Sequence, residues 1–339
     1  MVWADRAAAA EHAIRHRHLR RLWGLPGTVL GRSGWPPTLG DRLHRNWNYW
    51  WQAHLLDCLV DAELRDPDPG RRATLRRFVR TVRLRNFGSW INDYYDDIAW
   101  LALALQRVSG VTGIDLNGAL RPIFARLGEG WSSDAGGGIW WRRGDTFKNA
   151  PANGPAAIAH ARAGQIGRAR ELTEWMRATL VDPSSGLVWD GVRVDTGEVE
   201  TYIYTYCQGV YLGACLELSE VEEAARTVGA VAANCAPGGV LRGQGGGDGG
   251  LFAGVLARYL ALAALRLPSG VAVDAARALV LGSAQACWDN AIAAPGGPLF
   301  GPEWSEPAPA SDDLRQHRAR DLSVQLGGWL LLEAAASLE

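Results

Sequence analysis

Apolar residues recur at the 3.6-residue spacing of α-helices along most of the chain, and the period-two alternation of strands is almost missing. The pattern predicts twelve helical segments, at 3–23, 45–65, 70–82, 94–108, 115–127, 149–164, 166–180, 202–218, 219–235, 250–266, 269–290 and 313–337. Chain punctuation supports several of these boundaries. Pro67, Asp68, Pro69 and Gly70 separate the second and third segments, Ser109, Gly110 and Gly113 the fourth and fifth, and Pro268 to Gly270 the tenth and eleventh.

The connections alternate in length. Those from an even segment to the next odd one are about six residues or fewer, whereas those from odd to even are long: 24–44, 83–93, 128–148, 181–201, 236–249 and 291–312. Long loops in a compact domain usually carry function, and all six fall at equivalent places in the ladder. Six helical hairpins with long loops on one side describe an all-α (α/α)6 barrel, a toroid of six inner helices wrapped by six outer ones. The even segments fit the inner ring: Ile98 to Leu105 and Leu251 to Leu265 carry few charges, as helices buried all round should. The odd ones, such as Arg71 to Arg83 and Arg168 to Leu180, are amphipathic. A linear α-solenoid would show a self-similar repeat, and none is present. Residues 1–339 are therefore expected to form a single barrel domain, with the first outer helix and a long loop in residues 1–44.

Composition narrows the function classes. With 35 basic against 36 acidic residues the chain lacks the basic footprint of a nucleic-acid binder. The Arg-rich runs at 15–21 and 71–77 have apolar residues interleaved at helical spacing and read as solvated faces. Five scattered Cys without a C-x-x-C give neither a disulfide framework nor a zinc site, and the dispersed His, including His12 and His16, do not suggest a metal. No run is expected to cross a membrane, and no secretory signal is visible at the N-terminus, so the expected compartment is the cytoplasm. Sixteen Trp against six Phe is unusual, and Trp suits sugars because its flat face covers C–H groups while its N–H bonds a hydroxyl.

The long-loop rim should gather the starts of the inner helices. There lie Asn46 to Gln52, Trp90 to Asp97, Lys148-Asn149 with Asn153, Tyr202 to Tyr206 with Gln208, the Gly-rich stretch around Asp248, and Asp312-Asp313. Aromatics mixed with amides and carboxylates suit a neutral polyhydroxylated ligand. Asp96-Asp97 stands out. Adjacent Cα atoms are about 3.8 Å apart, so two splayed Asp side chains can reach the carboxyl separation of about 5 to 5.5 Å used by retaining glycosidases. A helix N-terminus should hold one as an anion, whose charge then raises the proton affinity of the other. An N-cap with a first-turn acid is the bland alternative, requiring no chemistry.

Several motifs resemble those of glycoside hydrolase family 76, the endo-α-1,6-mannanases. Tyr49-Trp50-Trp51-Gln52-Ala53-His54 is similar to the family's Y-W-W-Q-A-H, and Tyr94-Tyr95-Asp96-Asp97 with Trp100 to its Y-Y-D-D-x-x-W segment. Gly137-Gly138-Ile139-Trp140-Trp141, Lys148-Asn149-Ala150-Pro151-Ala152-Asn153, Tyr204-Thr205-Tyr206-Cys207-Gln208-Gly209 and Arg258-Tyr259-Leu260 follow in the family's order, across about residues 45–335. The resemblance implies an (α/α)6 fold, retaining hydrolysis of α-1,6-mannosidic bonds in a mannan-type polysaccharide or oligosaccharide, and no cofactor or metal. It implies Asp96 as nucleophile and Asp97 as general acid/base. It also implies glycan binding by Trp50, Trp51, Gln52, Tyr94, Tyr95, Trp140, Trp141, Lys148, Asn149, Asn153, Tyr206 and Gln208. A monomer, with endo action favoured over exo, is expected. Cys207 in place of Asn, Pro151 inside the N-A-x-A-N run and Ala253 in place of Lys depart from the family pattern. They leave the dyad intact and bear on chain length and linkage preference. Family enzymes usually act outside the cell or in its envelope, so the missing signal points to an internal mannan or glycolipid, or to another export route.

Other readings compete. A Mg²⁺-dependent isoprenoid synthase needs D-D-x-x-D, and the fifth position here is Trp100. A transglycosylase would use the same two Asp, and a non-catalytic glycan binder would have no need of them. Other (α/α)6 enzymes, such as uronyl hydrolases and sugar epimerases, commonly use His or isolated acids.

Overall fold

The structure, a computed structural model, describes residues 2–310 and 318–339. Apart from the four-residue α2 (Leu39–Arg42), it is a ladder of long helices: α1 (Val2–Arg17), α3 (Tyr49–Arg65), α4 (Pro69–Arg85), α5 (Tyr95–Thr112), α6 (Asn117–Glu129), α7 (Ala150–Arg162), α8 (Ile166–Leu180), α9 (Thr205–Glu217), α10 (Val221–Asn234), α11 (Gly249–Arg266), α12 (Val271–Asp289) and α13 (Leu322–Ala336). Helix α3 packs on α5, α5 on α7, α7 on α9, α9 on α11, α11 on α13, and α13 back on α3, which closes a ring of six. Helices α1, α4, α6, α8, α10 and α12 pack outside it. This is the (α/α)6 barrel, with the expected inner and outer sets.

Small residues let the inner helices approach. A Cβ added to Gly254 would fall 2.7 Å from the Gly327 backbone, and one on Gly209 2.9 Å from Leu256 Cα. Helix α11 is long and apolar enough to span a membrane, contrary to the expectation that no run would be. Its apolarity serves burial between α9 and α13. The five cysteines are free and buried.

Several boundaries move, each for a local reason. Helix α1 stops at Arg17, because Leu19–Arg20 (β1) turns to pair antiparallel with Leu30–Gly31 (β2). Helix α5 continues past Ser109 and Gly110 to Thr112, and ends only where Gly113 takes φ 69°, a left-handed cap that glycine adopts freely. The rim loops also hold more strand than the sequence suggests. Phe147–Asn149 (β3), Gly191–Arg193 (β4) and Glu198–Glu200 (β5) form a three-stranded antiparallel sheet, and Ile292–Ala294 (β6) pairs with Gly297–Leu299 (β7). Asp312-Asp313, placed at the rim from sequence, lie outside the described residues.

One device recurs around the mouth. The fourth residue of α3, α7, α9 and α13 is an amide with no solvent exposure: Gln52, Asn153, Gln208 and Gln325. Each accepts the N–H and donates to the C=O of one residue in the preceding rim loop. Gln52 holds Gly31 at 2.9 and 3.1 Å, and Asn153 holds Ile139 at 2.7 and 2.9 Å. Gln208 holds Val188 at 2.7 and 2.8 Å, and Gln325 holds Phe300 at 3.1 and 3.0 Å. A primary amide carries the same donor and acceptor as a peptide group, so it can satisfy a buried loop backbone much as a strand neighbour would.

Candidate active site

The two inner helices without such a clamp, α5 and α11, bring carboxylates to the mouth. Tyr94 is the N-cap of α5 and makes no side-chain capping bond, while Asp96 and Asp97 lie in the first turn. The dyad is therefore not spent on capping. Asn92 orders the approach: its Oδ1 accepts the Tyr94 N–H at 3.0 Å, and its Nδ2 donates to Asp97 Oδ2 at 2.6 Å. The loop 128–148 is zipped to the same turn, with Tyr95 N–H on Trp141 O at 2.9 Å and Trp141 N–H on Phe147 O at 2.8 Å. That pairing hangs the Trp141 indole over the dyad, and its Nε1–H donates to Asp96 Oδ2 at 3.2 Å. Asp96 Oδ1 is enclosed and has no hydrogen-bond partner among the described residues.

Both aspartates are half-buried as residues, and both hold their protons more tightly than an ordinary carboxyl. Desolvation is the main cause for Asp96, reinforced by the charge of Asp97, and it lifts Asp96 well above the usual range. Desolvation also lifts Asp97, to about 7, against the Asn92 hydrogen bond and with help from the charge of Asp248. A helix terminus was expected to keep one carboxyl ionised, but at this depth burial outweighs it. The pair titrates as a unit and retains a proton near neutrality.

The surroundings are aromatic. Trp50 lies 6.3 Å from Trp100 and 6.2 Å from both Tyr206 and Phe252, and Tyr206 stacks parallel on Phe252 at 3.8 Å. Tyr94 meets Trp141 edge-on at 5.4 Å. Asp248, exposed at the N-terminus of α11, accepts the indole N–H of both Trp50 (3.0 Å) and Trp51 (2.8 Å), which fixes those rings. Below this floor, in the barrel lumen, Asp57 and Asp61 of α3 are ion-paired with Arg107 of α5 and Arg258 of α11. A cavity of about 600 Å³ there is lined by the same four residues with His54 and Trp100. Its acids are already neutralised by guanidiniums, unlike the carboxyls of the mouth.

The family-wide sequence model described as glycosyl hydrolase family 76 matches residues 6–324. The chain belongs to this family. It is 32% identical to the GH76A α-1,6-mannanase of Salegentibacter sp. HEL1_6, with a TM-score of 0.87 over 99% of this chain and 100% of that one. An inactive variant of that enzyme, with Asn in place of Asp at two consecutive positions, was solved with α-1,6-mannotriose. The Lin0763 protein of Listeria innocua is 28% identical, with a TM-score of 0.87 over 99% of this chain and 97% of that one. No curated protein matches the chain. The chain is accordingly a glycoside hydrolase with the fold of family 76.

Within this family 76 chain the residues expected to bind glycan divide in two. Trp50, Tyr94, Trp141 and Tyr206 surround the dyad, and Trp51, although buried, belongs to the same wall through Asp248. Of the others, the four amides and Lys148 have their polar groups committed to the protein. Gln52, Asn153 and Gln208 are the loop clamps, and Asn149 caps α7 by accepting Ala152 N–H at 3.2 Å. Lys148 is fully buried, and its Nζ donates to Ser132 O, Ser132 Oγ, Asp134 O and Gly137 O at 2.6–3.0 Å. Burial lowers its pKa to about 8, and the ammonium sits 4.5 Å from the Trp140 ring, so both residues organise the loop 128–148. Tyr95 turns away from the mouth, against Gly130, where an added Cβ would fall 2.6 Å from its ring.

The sequence placed Asn92 and Asp248 at the rim without an individual role, and gave none to Phe252 or Asp190. Asp190 precedes β4, and desolvation raises its pKa to about 7. Its signal is faint, one Asp between Trp189 and Gly191 in a loop. The departures from the family pattern are absorbed locally. Pro151 occupies the first turn of α7, where its missing N–H is harmless, Cys207 lies buried with Sγ 4.0 Å from Asp190 Oδ1, and Ala253 is buried in α11.

Proposed function

We propose that this enzyme hydrolyses α-1,6-mannosidic linkages with retention of configuration, using Asp96 as nucleophile and Asp97 as general acid/base. One observation carries the reading: the first turn of α5 presents two adjacent carboxyls, neither used as a cap, with the enclosed Asp96 Oδ1 unpartnered in an aromatic-walled mouth. The α-1,6-mannanase at 32% identity, inactive when two consecutive aspartates are replaced, supports both the linkage and the dyad.

The reactive form is the one in which the single proton retained by the pair lies on Asp97 and Asp96 is the carboxylate. From it, in the first step, the Asp97 proton passes to the leaving glycosidic oxygen while Asp96 attacks the anomeric carbon, giving a covalent mannosyl ester. In the second step Asp97, now a base, takes a proton from water, which displaces Asp96. A carboxyl at about 7 is suited to giving and taking the same proton near neutral pH. The Trp141 N–H on Asp96 Oδ2 and the aromatic walls hold the nucleophile in one orientation.

Linear α-1,6-mannan tests the reading, together with an activated fluoromannoside and aryl mannosides of graded leaving-group ability. Asp96→Ala should abolish the covalent adduct seen by mass spectrometry. Asp97→Ala should slow poor leaving groups by about 10² to 10⁴-fold and spare good ones, which depart without a proton. Turnover like the parent's in both variants overturns the assignment.

A further inference from the structure

An aromatic ladder continues from the mouth to the surface. Phe252 stacks on Tyr206, Tyr204 meets Phe252 at 5.4 Å and Tyr206 at 6.0 Å, and Tyr202 stacks on Tyr204 at 6.1 Å with ring planes 20° apart. Tyr204 is half-buried, whereas Tyr202 is 64% exposed, an unusual outlay of a large ring on the surface. A solitary exposed tyrosine would mean little. This one ends a continuous path that begins beside the dyad.

The segment carrying it is rigidly held. Gln244 donates to Ile203 O at 3.0 Å and accepts from Thr205 N–H at 2.7 Å and Thr205 Oγ at 2.9 Å. The clamp Gln208 donates to Tyr204 O at 3.0 Å. The platform is thus ordered before any ligand arrives, so stacking on it requires little further loss of chain freedom. Polar partners stand nearby. Asp190 and Glu200 are close enough to perturb the Tyr204 phenol, and Arg193 holds Glu200 at 2.8 Å. Flat apolar rings beside carboxylates able to accept hydroxyl hydrogens are the chemistry of a sugar subsite, matched to C–H faces and vicinal hydroxyls.

We propose that Tyr202 and Tyr204 form a distal sugar subsite, continuous with the cleft, that makes the enzyme favour long α-linked mannan chains over short oligosaccharides. The inference rests on the mannanase reading above and adds a chain-length determinant to it. On this arrangement Tyr202 is the last ring of the ladder, beyond Tyr204, so a polymer extending along the ladder would engage it and a short substrate held at the dyad would not. Tyr202 contributes binding alone, so its loss raises KM and leaves kcat unchanged.

The test compares the full-length parent, Tyr202→Ala and Tyr202→Phe on linear α-1,6-mannan and on α-1,6-mannotriose, by steady-state kinetics and by calorimetric binding where a substrate is not turned over. Tyr202→Ala should lose roughly three- to tenfold in kcat/KM on mannan, through KM, with mannotriose unchanged. Tyr202→Phe should behave as the parent. Equal losses on both substrates, or no loss on mannan, overturn the subsite. A folded parent that neither cleaves nor binds either substrate overturns the mannanase reading itself, and the subsite with it.

Discussion

Two carboxyls on consecutive residues, withdrawn from water, cannot both ionise near neutral pH without a large electrostatic cost. Asp96 faces burial first and the Asp97 charge second, while Asp97 is partly relieved by the Asn92 amide and so releases its proton at about 7. The sign of the pH dependence follows. The acid step needs the proton, so kcat/KM on an unactivated mannoside should fall as pH rises through about 7. A pH–rate profile on α-1,6-mannan checks this, and Asn92→Ala should shift the descending limb to higher pH because it removes a hydrogen bond that favours the anion. A limb that stays in place in Asn92→Ala would place the titrating proton elsewhere. Asp97 should also make the protein less stable as pH rises from about 4 toward 7, since the native state binds the proton that the unfolded chain has already lost.

At the scale of elements, the inner–outer alternation was legible because it is written in local terms. Inner helices such as α11 carry few charges for their length, those facing water are striped, and the loop lengths reveal which ends share a rim. The Asp96-Asp97 pair stands out in the sequence for a related reason: two Asp beside Tyr94, Tyr95 and Trp100 make a dense local signal, and the fold brings both to the first turn of α5. Gln52, Asn153 and Gln208 read as glycan ligands because an amide beside aromatics has the composition of a sugar subsite, and only the fold shows their donors and acceptors turned onto Gly31, Ile139 and Val188. Asp248 could be placed at the rim, but its hold on two indoles could not be read, for the opposite reason. Its partners Trp50 and Trp51 are nearly 200 positions away in sequence, and nothing local links them. The clamp reading makes a prediction that a subsite reading does not. Gln208→Leu leaves the Val188 N–H and C=O buried without partners, each at a cost of about 1–3 kcal/mol. Thermal or denaturant unfolding should register this loss of stability, and Gln208→Glu should recover part of it by still accepting the Val188 N–H. A Gln208→Leu protein as stable as the parent but weak in mannan binding would restore the amide to the glycan.

For the molecule as a whole, a ring of six helices needs something across its axis as well as contacts between neighbours. Beneath the aromatic floor that role falls to ions: Arg107 from α5 and Arg258 from α11 each bridge Asp57 and Asp61 on α3. Burial alone would raise the Asp57 pKa, but the two guanidiniums hold it at about 2. Its contribution to stability is therefore complete above the unfolded carboxyl value of about 4, and is lost as pH falls from there toward 2. Arg107→Met keeps much of the stem volume and removes the charge, leaving the buried Asp57 and half-buried Asp61 to share one guanidinium. Breaking one side of such a cluster should cost about 3–5 kcal/mol at pH 7. The penalty should also depend on pH in a way that lost packing would not. In the variant the crowded carboxylates take up a proton at higher pH than in the parent, which relieves their repulsion. The gap in melting temperature between parent and variant should accordingly narrow as pH is lowered from 7 to 4. A gap that stays constant over that range would mean that Arg107 supports the barrel through its aliphatic stem, and that the charges across the lumen contribute little to holding the ring closed.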